Sequence, residues 1–314
     1  MKMMRTIPML TSSQAADLLQ VHESSMKRWT NEGRLKPVTT KGGHRRIPLS
    51  DLIDFVRKER PDSALLRFSP YEEDLAMAAL ACRERNNFLP LTDLIVRFCD
   101  TKPPSYLVET VRYLREAFEI PLTRTFDLGV AEALRKIGRE WADGTRTIAH
   151  EHRFTQKVLD ALYGLRREGS DSPGKPLPLA LVGSAESCLH EIGAMFARLA
   201  LEEAGWQVCY LGSNVPFDEF AGIQAELKAS MVAISFISPS VGADARRCAG
   251  ILGRLYRDSA PYHLVMGGSG IRHDEYEKDR WPFLSVRIVK DTESLYEWAK
   301  ARLQKETKHR KGKI

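Results

Sequence analysis

From Tyr71 to about Arg167 apolar residues recur at helical spacing with almost no strand signal, whereas from Leu177 onward they come in short continuous runs. The chain therefore changes construction near its middle. Pro90, Pro103-Pro104 and Pro121 divide the first stretch into successive helices of ~10–25 residues, the pattern of a bundle. Its last two helices are expected over Phe126 to Trp141, closed by Asp143-Gly144, and from Thr145 or Thr147 through His150, Glu151 and His152. Beyond a Gly/Ser/Pro-rich linker, Gly169 to Pro176, apolar runs lie at Leu177–Gly183, Gln207–Leu211, Met231–Ile237, His263–Met266 and Val286–Val289. Helical stretches near His190–Ala204, Asp218–Ala229, Ala243–Arg257 and Thr292–Gln304 alternate with them, with a short turn near Ile271–Tyr276. Five strands with crossing helices in ~130 residues predict a doubly wound parallel sheet of flavodoxin-like, Rossmann-like type.

The first sixty residues have a different grain. Thr11-Ser-Ser-Gln14 is a capping box for a short helix, Ser12 to Leu19. After a tight turn at Val21-His22, a second helix runs from Glu23 to Glu32 and stops at Gly33. Met26 and Trp29, three apart, face inward and leave Ser24, Ser25, Lys27, Arg28 and Asn31 outside. That is a helix-turn-helix with its second helix suited to a major groove. Val38-Thr-Thr and His44 to Ile47 can pair as a hairpin across Gly42-Gly43, and a helix from Ser50 to Arg57 would brace it.

Composition narrows the class. A chain of 314 residues, 43% apolar and 28% charged, makes two or three globular domains with an ample core. No run approaches the ~18 apolar residues of a bilayer span, and Met1 to Leu10 lacks the apolar core of a signal peptide. Five scattered cysteines without a CxxC pair argue against a disulfide framework or zinc site and fit a reducing cytoplasm. The net charge of +6 is uneven: residues 1–60 carry 12 Lys/Arg against 6 Asp/Glu, and residues 305–314 carry 5 against 1. The remainder is near −4, which places nucleic-acid contact at the N-terminal end. The C-terminal run reads as a solvated basic tail.

Two spacings carry chemistry. In Glu186-Ser-Cys-Leu-His-Glu-Ile-Gly193, which follows the first apolar run, His190 stands three residues before a glycine. There it can point from the sheet edge towards a ligand, although a surface loop with an incidental histidine has the same spacing. Nine residues separate Trp141 from Glu151-His152; a core Trp and a solvated helix face would read alike. Ser235 lies within the third run, and Gly267-Gly268 after the fourth would let a bulky ligand approach the backbone. No GxGxxG fingerprint favours a dinucleotide.

Residues 8–57, above all Gly33-Arg-Leu-Lys-Pro37 and Gly42-Gly-His-Arg-Arg46, resemble the winged helix-turn-helix of the MerR and excisionase-like families. On that resemblance Ser25, Lys27 and Arg28, with wing residues Lys41, His44, Arg45 and Arg46, contact double-stranded DNA. His190-Glu-Ile-Gly193, Ser235-Phe-Ile237 and Gly267-Gly268 resemble the cobalamin-binding domain of methionine synthase and the base-off corrinoid enzymes. By that resemblance His190 is the lower axial ligand to cobalt, and Ser235 with the glycine pair receives the displaced dimethylbenzimidazole tail. Glu186, Cys188 and Gly193 complete the loop.

The modules in this order resemble the CarH/LitR group of MerR-type, cobalamin-dependent photoreceptor repressors. That resemblance implies that Trp141, Glu151 and His152 shelter the adenosyl group of adenosylcobalamin. It also implies that a dark tetramer binds operator DNA and that light breaks it apart. The chain departs from the pattern twice: Cys188 replaces the carboxylate that orients the histidine, and Ala142 replaces a histidine that takes over as upper ligand after photolysis. Photolysis without the bis-histidine end state is the expectation. The domains expected are 1–60 (DNA-binding), 64–168 (helical cap), 177–304 (cobalamin-binding) and the tail 305–314. The function expected is a light-sensing regulator, a repressor and not an enzyme, in the cytoplasm, with no membrane partner. A cobalamin-independent regulator controlled by a protein antirepressor or by redox at Cys188 is the alternative. A corrinoid enzyme subunit is disfavoured by the lack of a substrate barrel and a zinc-thiolate motif.

Overall fold

The structure, a computed structural model, describes residues 8–166, 177–237, 245–256, 260–271 and 281–311. It divides into two compact units, Met1–Ala161 and Leu162–Ile314.

The first unit opens with β1 (Met9–Leu10), α1 (Ser12–Leu18) and α2 (Glu23–Asn31). The Thr11 capping box forms in full, and Gly33 takes φ +71° to end the second helix. Met26 and Trp29 are buried, and Trp29 lies 5.0 Å from the Phe55 ring. The wing is β2 (Val38–Thr39) antiparallel to β3 (Arg45–Pro48), turned at Gly43 with φ +78°. β1 adds to the other edge of β3, pairing Leu10 with Ile47; a two-residue strand is too short to leave a pattern in sequence. α3 (Leu49–Glu59) buries Leu52, Ile53, Phe55 and Val56 beneath the wing.

A 3₁₀ turn (Ala64–Phe68) leads into α4 (Glu72–Arg85), α5 (Leu89–Thr101) and α6 (Pro104–Phe118). The prolines that divide the stretch do so by opening helices, where a missing N–H costs nothing. The next helix comprises α7 (Leu122–Arg124), a π-helical segment (Thr125–Val130) and α8 (Ala131–Ala142). Gly129 in the π segment has Leu91 and Ile95 where a Cβ would meet them at 3.3 and 3.4 Å. α9 (Ile148–Gly164) follows the turn at 143–147.

The winged block is fixed to these helices rather than tethered through residues 60–63. Tyr113 Oη donates to the Leu18 carbonyl at 2.6 Å, Arg83 pairs with Asp17 at 2.6 Å, and Arg57 pairs with the buried Glu72 at 3.0 Å. The two blocks that composition separates at residue 60 thus form one unit.

The second unit is a five-stranded parallel sheet in the order β5-β4-β6-β7-β8. Its strands are β4 (Leu179–Ser184), β5 (Gln207–Gly212), β6 (Met231–Ser235), β7 (His263–Gly267) and β8 (Ser285–Val289). With β4 as the first strand this is the flavodoxin-like order 2-1-3-4-5, whose switch point lies between β4 and β6. Strand side chains alternate between two cores. Leu181, Val232, Ile234 and Leu264 meet α11 (Phe217–Leu227) and α12 (Ala245–Leu255). Val182, Ala233 and Val265 meet α10 (Ile192–Glu203) and α13 (Thr292–Lys311). The C-terminal run read as a solvated tail is helical through Lys311. The turn expected near Ile271–Tyr276 lies, after Ile271, outside the described residues.

Candidate functional sites

On the DNA-facing side, α2 exposes Lys27 and Arg28, with Ser25 half-buried beside them. His22 caps the helix by accepting from the Ser24 N–H at 3.3 Å. In the wing Lys41, His44 and Arg45 are exposed and Arg46 is partly so. Arg46 Nη1 donates to the Arg45 carbonyl at 3.1 Å. Other basic residues of the block are already engaged: Arg34 bridges Glu32 and Glu59 at 3.2 and 2.9 Å, and Arg57 is held by Glu72. Lys27 keeps an i,i+4 pair with Glu23 at 3.4 Å, exposed and hence weak. The structure so sorts the basic block into cations that hold the fold, such as Arg34 and Arg57, and cations more open to solvent, such as Arg28, Lys41 and Arg45.

The His190 loop lies at the C-terminal end of β4, beside the switch point. Its backbone is tightly held. Ser184 Oγ donates to the His190 carbonyl at 2.8 Å. The Ser187 N–H donates to Asn214 Oδ1 at 2.8 Å, and the Asn214 N–H returns a bond to the Cys188 carbonyl at 2.9 Å. Ser187 takes φ +64° to make the turn. His190 itself is exposed, and among the described residues its ring nitrogens have no partner. Leu189 beside it is 76% exposed.

Glycines bring three chain segments together here. A Cβ on Gly193 would lie 2.6 Å from Ser235 Oγ, so α10 seats against the end of β6 only without a side chain. At Gly268, φ is +112° and a Cβ would lie 2.1 Å from the Phe236 carbonyl oxygen. A Cβ on Gly267 would lie 2.7 Å from Val289 Cγ2 and 3.0 Å from the Val289 carbonyl oxygen. Ser235 is buried, and its hydroxyl makes no hydrogen bond among the described residues.

Both carboxylates of the loop are bonded to side chains other than His190. Glu186 accepts from both Nη atoms of Arg247 at 3.1 and 3.3 Å. Glu191 Oε1 accepts from the hydroxyls of Tyr163 and Tyr210 at 2.5 and 3.1 Å. The bond to Glu191 holds the Tyr163 hydroxyl above its ordinary pKa. Cys188 does not replace a carboxylate either. Its side chain is buried in the core with Ala185 and Phe217, and Sγ comes within 3.9 Å of the His190 carbonyl, not of its ring. Long-range partners such as Arg247, Asn214, Tyr163 and Tyr210 leave no mark in local spacing.

In the first unit Trp141 is 48% exposed at the end of α8. On α9, Glu151 Oε2 lies 2.7 Å from His152 Nδ1, and Thr155 donates to Glu151 Oε1 at 2.8 Å. His150 Nδ1 is occupied by Thr147 Oγ1 at 2.8 Å. Glu151-His152 is therefore an oriented pair, not two loose side chains.

Residues 9–60 match the family described as helix-turn-helix domain, and residues 178–297 match the B12 binding domain. The chain joins a helix-turn-helix domain to a B12 binding domain. It is distantly related to two proteins of Myxococcus xanthus. The HTH-type transcriptional repressor CarA is 22% identical over 259 residues, 82% of this chain and 85% of CarA. The HTH-type transcriptional repressor CarH is 29% identical over 119 residues, 38% of this chain and only 39% of CarH's own length. The monomethylamine corrinoid protein of Methanosarcina barkeri superposes with a TM-score of 0.49 at 18% identity, covering 67% of this chain and 95% of that one. His190, Gly193, Ser235, Gly267 and Gly268 all fall inside the B12 binding domain. Among the described residues no helix is long and apolar enough to cross a membrane.

Proposed function

We propose that this protein is a transcriptional repressor whose grip on operator DNA is set by bound adenosylcobalamin and by light. One observation carries the reading: an exposed imidazole without a partner, on a rigid loop at the glycine-lined end of a B12 binding domain, in a chain that also presents a cationic helix and wing. The likeness to CarH and CarA, both named as repressors, supports the same direction.

The residues fit a corrinoid. A neutral imidazole is a good ligand for a first-row transition metal. The hydroxyl of Ser235 is free to meet a ring nitrogen, and Gly193, Gly267 and Gly268 keep side chains out of the end of the sheet. His190 would hold cobalt from below, Ser235 and the glycine pair would hold the tail, and Trp141, Glu151 and His152 would shelter the upper ligand. When bound, adenosylcobalamin supplies a cobalt–carbon bond that light breaks. The chain's part is to couple that event to assembly. A lone winged domain binds weakly, and linking copies in a tetramer raises avidity by ~100-fold or more. Ser25, Lys27, Arg28, Lys41, His44, Arg45 and Arg46 would meet the DNA. The site of action would be the cytoplasm.

A second reading, a regulator without cofactor controlled by a protein partner, draws on the carboxylates. A metal-bound histidine ordinarily donates its other N–H to an acceptor, and Glu186 and Glu191 are both committed elsewhere.

Purification with adenosylcobalamin in the dark, then absorbance, oligomer size and DNA affinity before and after green light, separates these. Corrin colour, a dark oligomer and light-induced loss of both oligomer and DNA are expected. No colour leaves the cofactor-free regulator; colour without a change in size or affinity means another trigger. An illuminated spectrum of a bis-histidine adduct would overturn the expectation drawn from Ala142.

A further inference from the structure

From residue 141 to residue 150 every side chain is exposed except one, Arg146. The turn that joins Trp141 to Glu151-His152 therefore has no buried apolar side chain to fix it. Arg146 lies five residues after Trp141 and five before Glu151. Its Nη1 and Nη2 donate to the two oxygens of Asp100 at 2.9 and 2.8 Å. Its Nε donates to Glu140 Oε2 at 2.6 Å, and its backbone N–H donates to the Glu140 carbonyl at 2.8 Å. Asp100 is in the last turn of α5, and Glu140 immediately precedes Trp141 near the end of α8. A cation between two helix C-termini is also favoured by their dipoles. The fork geometry belongs to arginine; a lysine can keep the charge but not three directed bonds.

We propose that Arg146 is a positioning residue for the upper-ligand cap: by clamping α8 to α5 across the turn, it holds Trp141 and the Glu151-His152 pair at one fixed spacing. This rests on the cobalamin reading for what the cap shelters, but the clamp itself does not. A clamp that serves only general stability would affect all corrinoids alike. A positioning clamp discriminates between a cobalamin carrying a bulky adenosyl group and one carrying only hydroxide.

The test uses full-length protein, Arg146→Lys, and dark titration with adenosylcobalamin and hydroxocobalamin. Adenosylcobalamin binding should weaken by about tenfold, the scale of one lost charge-assisted hydrogen bond, with hydroxocobalamin changed by less than about twofold. Amide exchange of the apo-protein should accelerate by about tenfold or more across residues 141–150 and stay unchanged in the sheet. Equal weakening for both cobalamins, no weakening for either, or unaltered exchange would overturn the clamp. Asp100→Asn, which removes the fork's acceptor charge, replaces Arg146→Lys if that variant fails to fold. If wild type binds neither cobalamin, the functional reading fails while the exchange measurement still decides the clamp.

Discussion

The DNA-facing surface and the His190 loop are built on opposite plans. The first is a display of side chains: Arg28, Lys41 and Arg45 stand in solvent on a helix and a wing. The second is built largely from the lack of side chains: Gly193, Gly267 and Gly268 let backbone and a single serine approach to distances no Cβ tolerates. Substitution should therefore cost binding without stability on the first surface and stability before binding around the second, with His190 as the exception.

Gly268→Ala puts the largest strain on that contrast. At φ +112° and 2.1 Å from the Phe236 oxygen, the added Cβ forces the β7 end to move, and a loss of about 3 kcal/mol or more in denaturant unfolding is expected. A change near zero would mean that the glycine turn is not tight. His190→Ala should do the reverse. Because the ring is exposed and unpartnered, unfolding should be unaltered, while cobalamin binding falls by about 100-fold or more, at or beyond the range seen for groups behind a ligand. Arg45→Ala with Arg46→Ala should leave the melt unchanged and reduce the salt slope of DNA binding by about 2, roughly one for each phosphate contact. A change in sequence preference with an unaltered slope would show base contacts instead.

The smallest effect lies inside the sheet. Burial, aided by Arg302, holds His263 down to about 4 against 6.5 for the free residue, with Nδ1 on Ser285 Oγ at 2.8 Å. Between those values the unfolded chain binds the proton that the folded chain refuses, so stability is full above pH 6.5 and falls as pH drops towards 4. The pH-dependent loss from this group should be about 1 kcal/mol near pH 5.5 and absent in His263→Asn. Equal pH slopes in the two proteins would remove this group from the account.

The same contrast governs what the chain reveals before folding. Met26 and Trp29 announce the inner face of α2, and the runs at Leu181 and Val232 announce buried parallel strands, because burial follows periodicity. The spacing of His190 and Gly193 alone reads equally as an incidental surface histidine; it is the resemblance to a cobalamin-binding domain that singles the loop out, and the loop lies within the residues that match the B12 binding domain. The partners of Glu186 and Arg146 were not legible, since Arg247 is 61 residues from Glu186 and Asp100 is 46 from Arg146. Charge also misled at the C-terminus, where a basic run gave no sign that α13 continues through it. Nor did composition show that residues 1–60 and the helices after them would be welded by Tyr113, Arg83 and Arg57.

That weld turns α2 into the tip of a lever. A reading head on a slack cord can settle on half-sites at many separations, but one bolted to its arm can move only as the arm moves. If copies assemble as proposed above, each would then act as one jaw of a caliper, with operator spacing as the gauge. Inserting half a helical turn of DNA between half-sites should put the second jaw on the wrong face of the duplex.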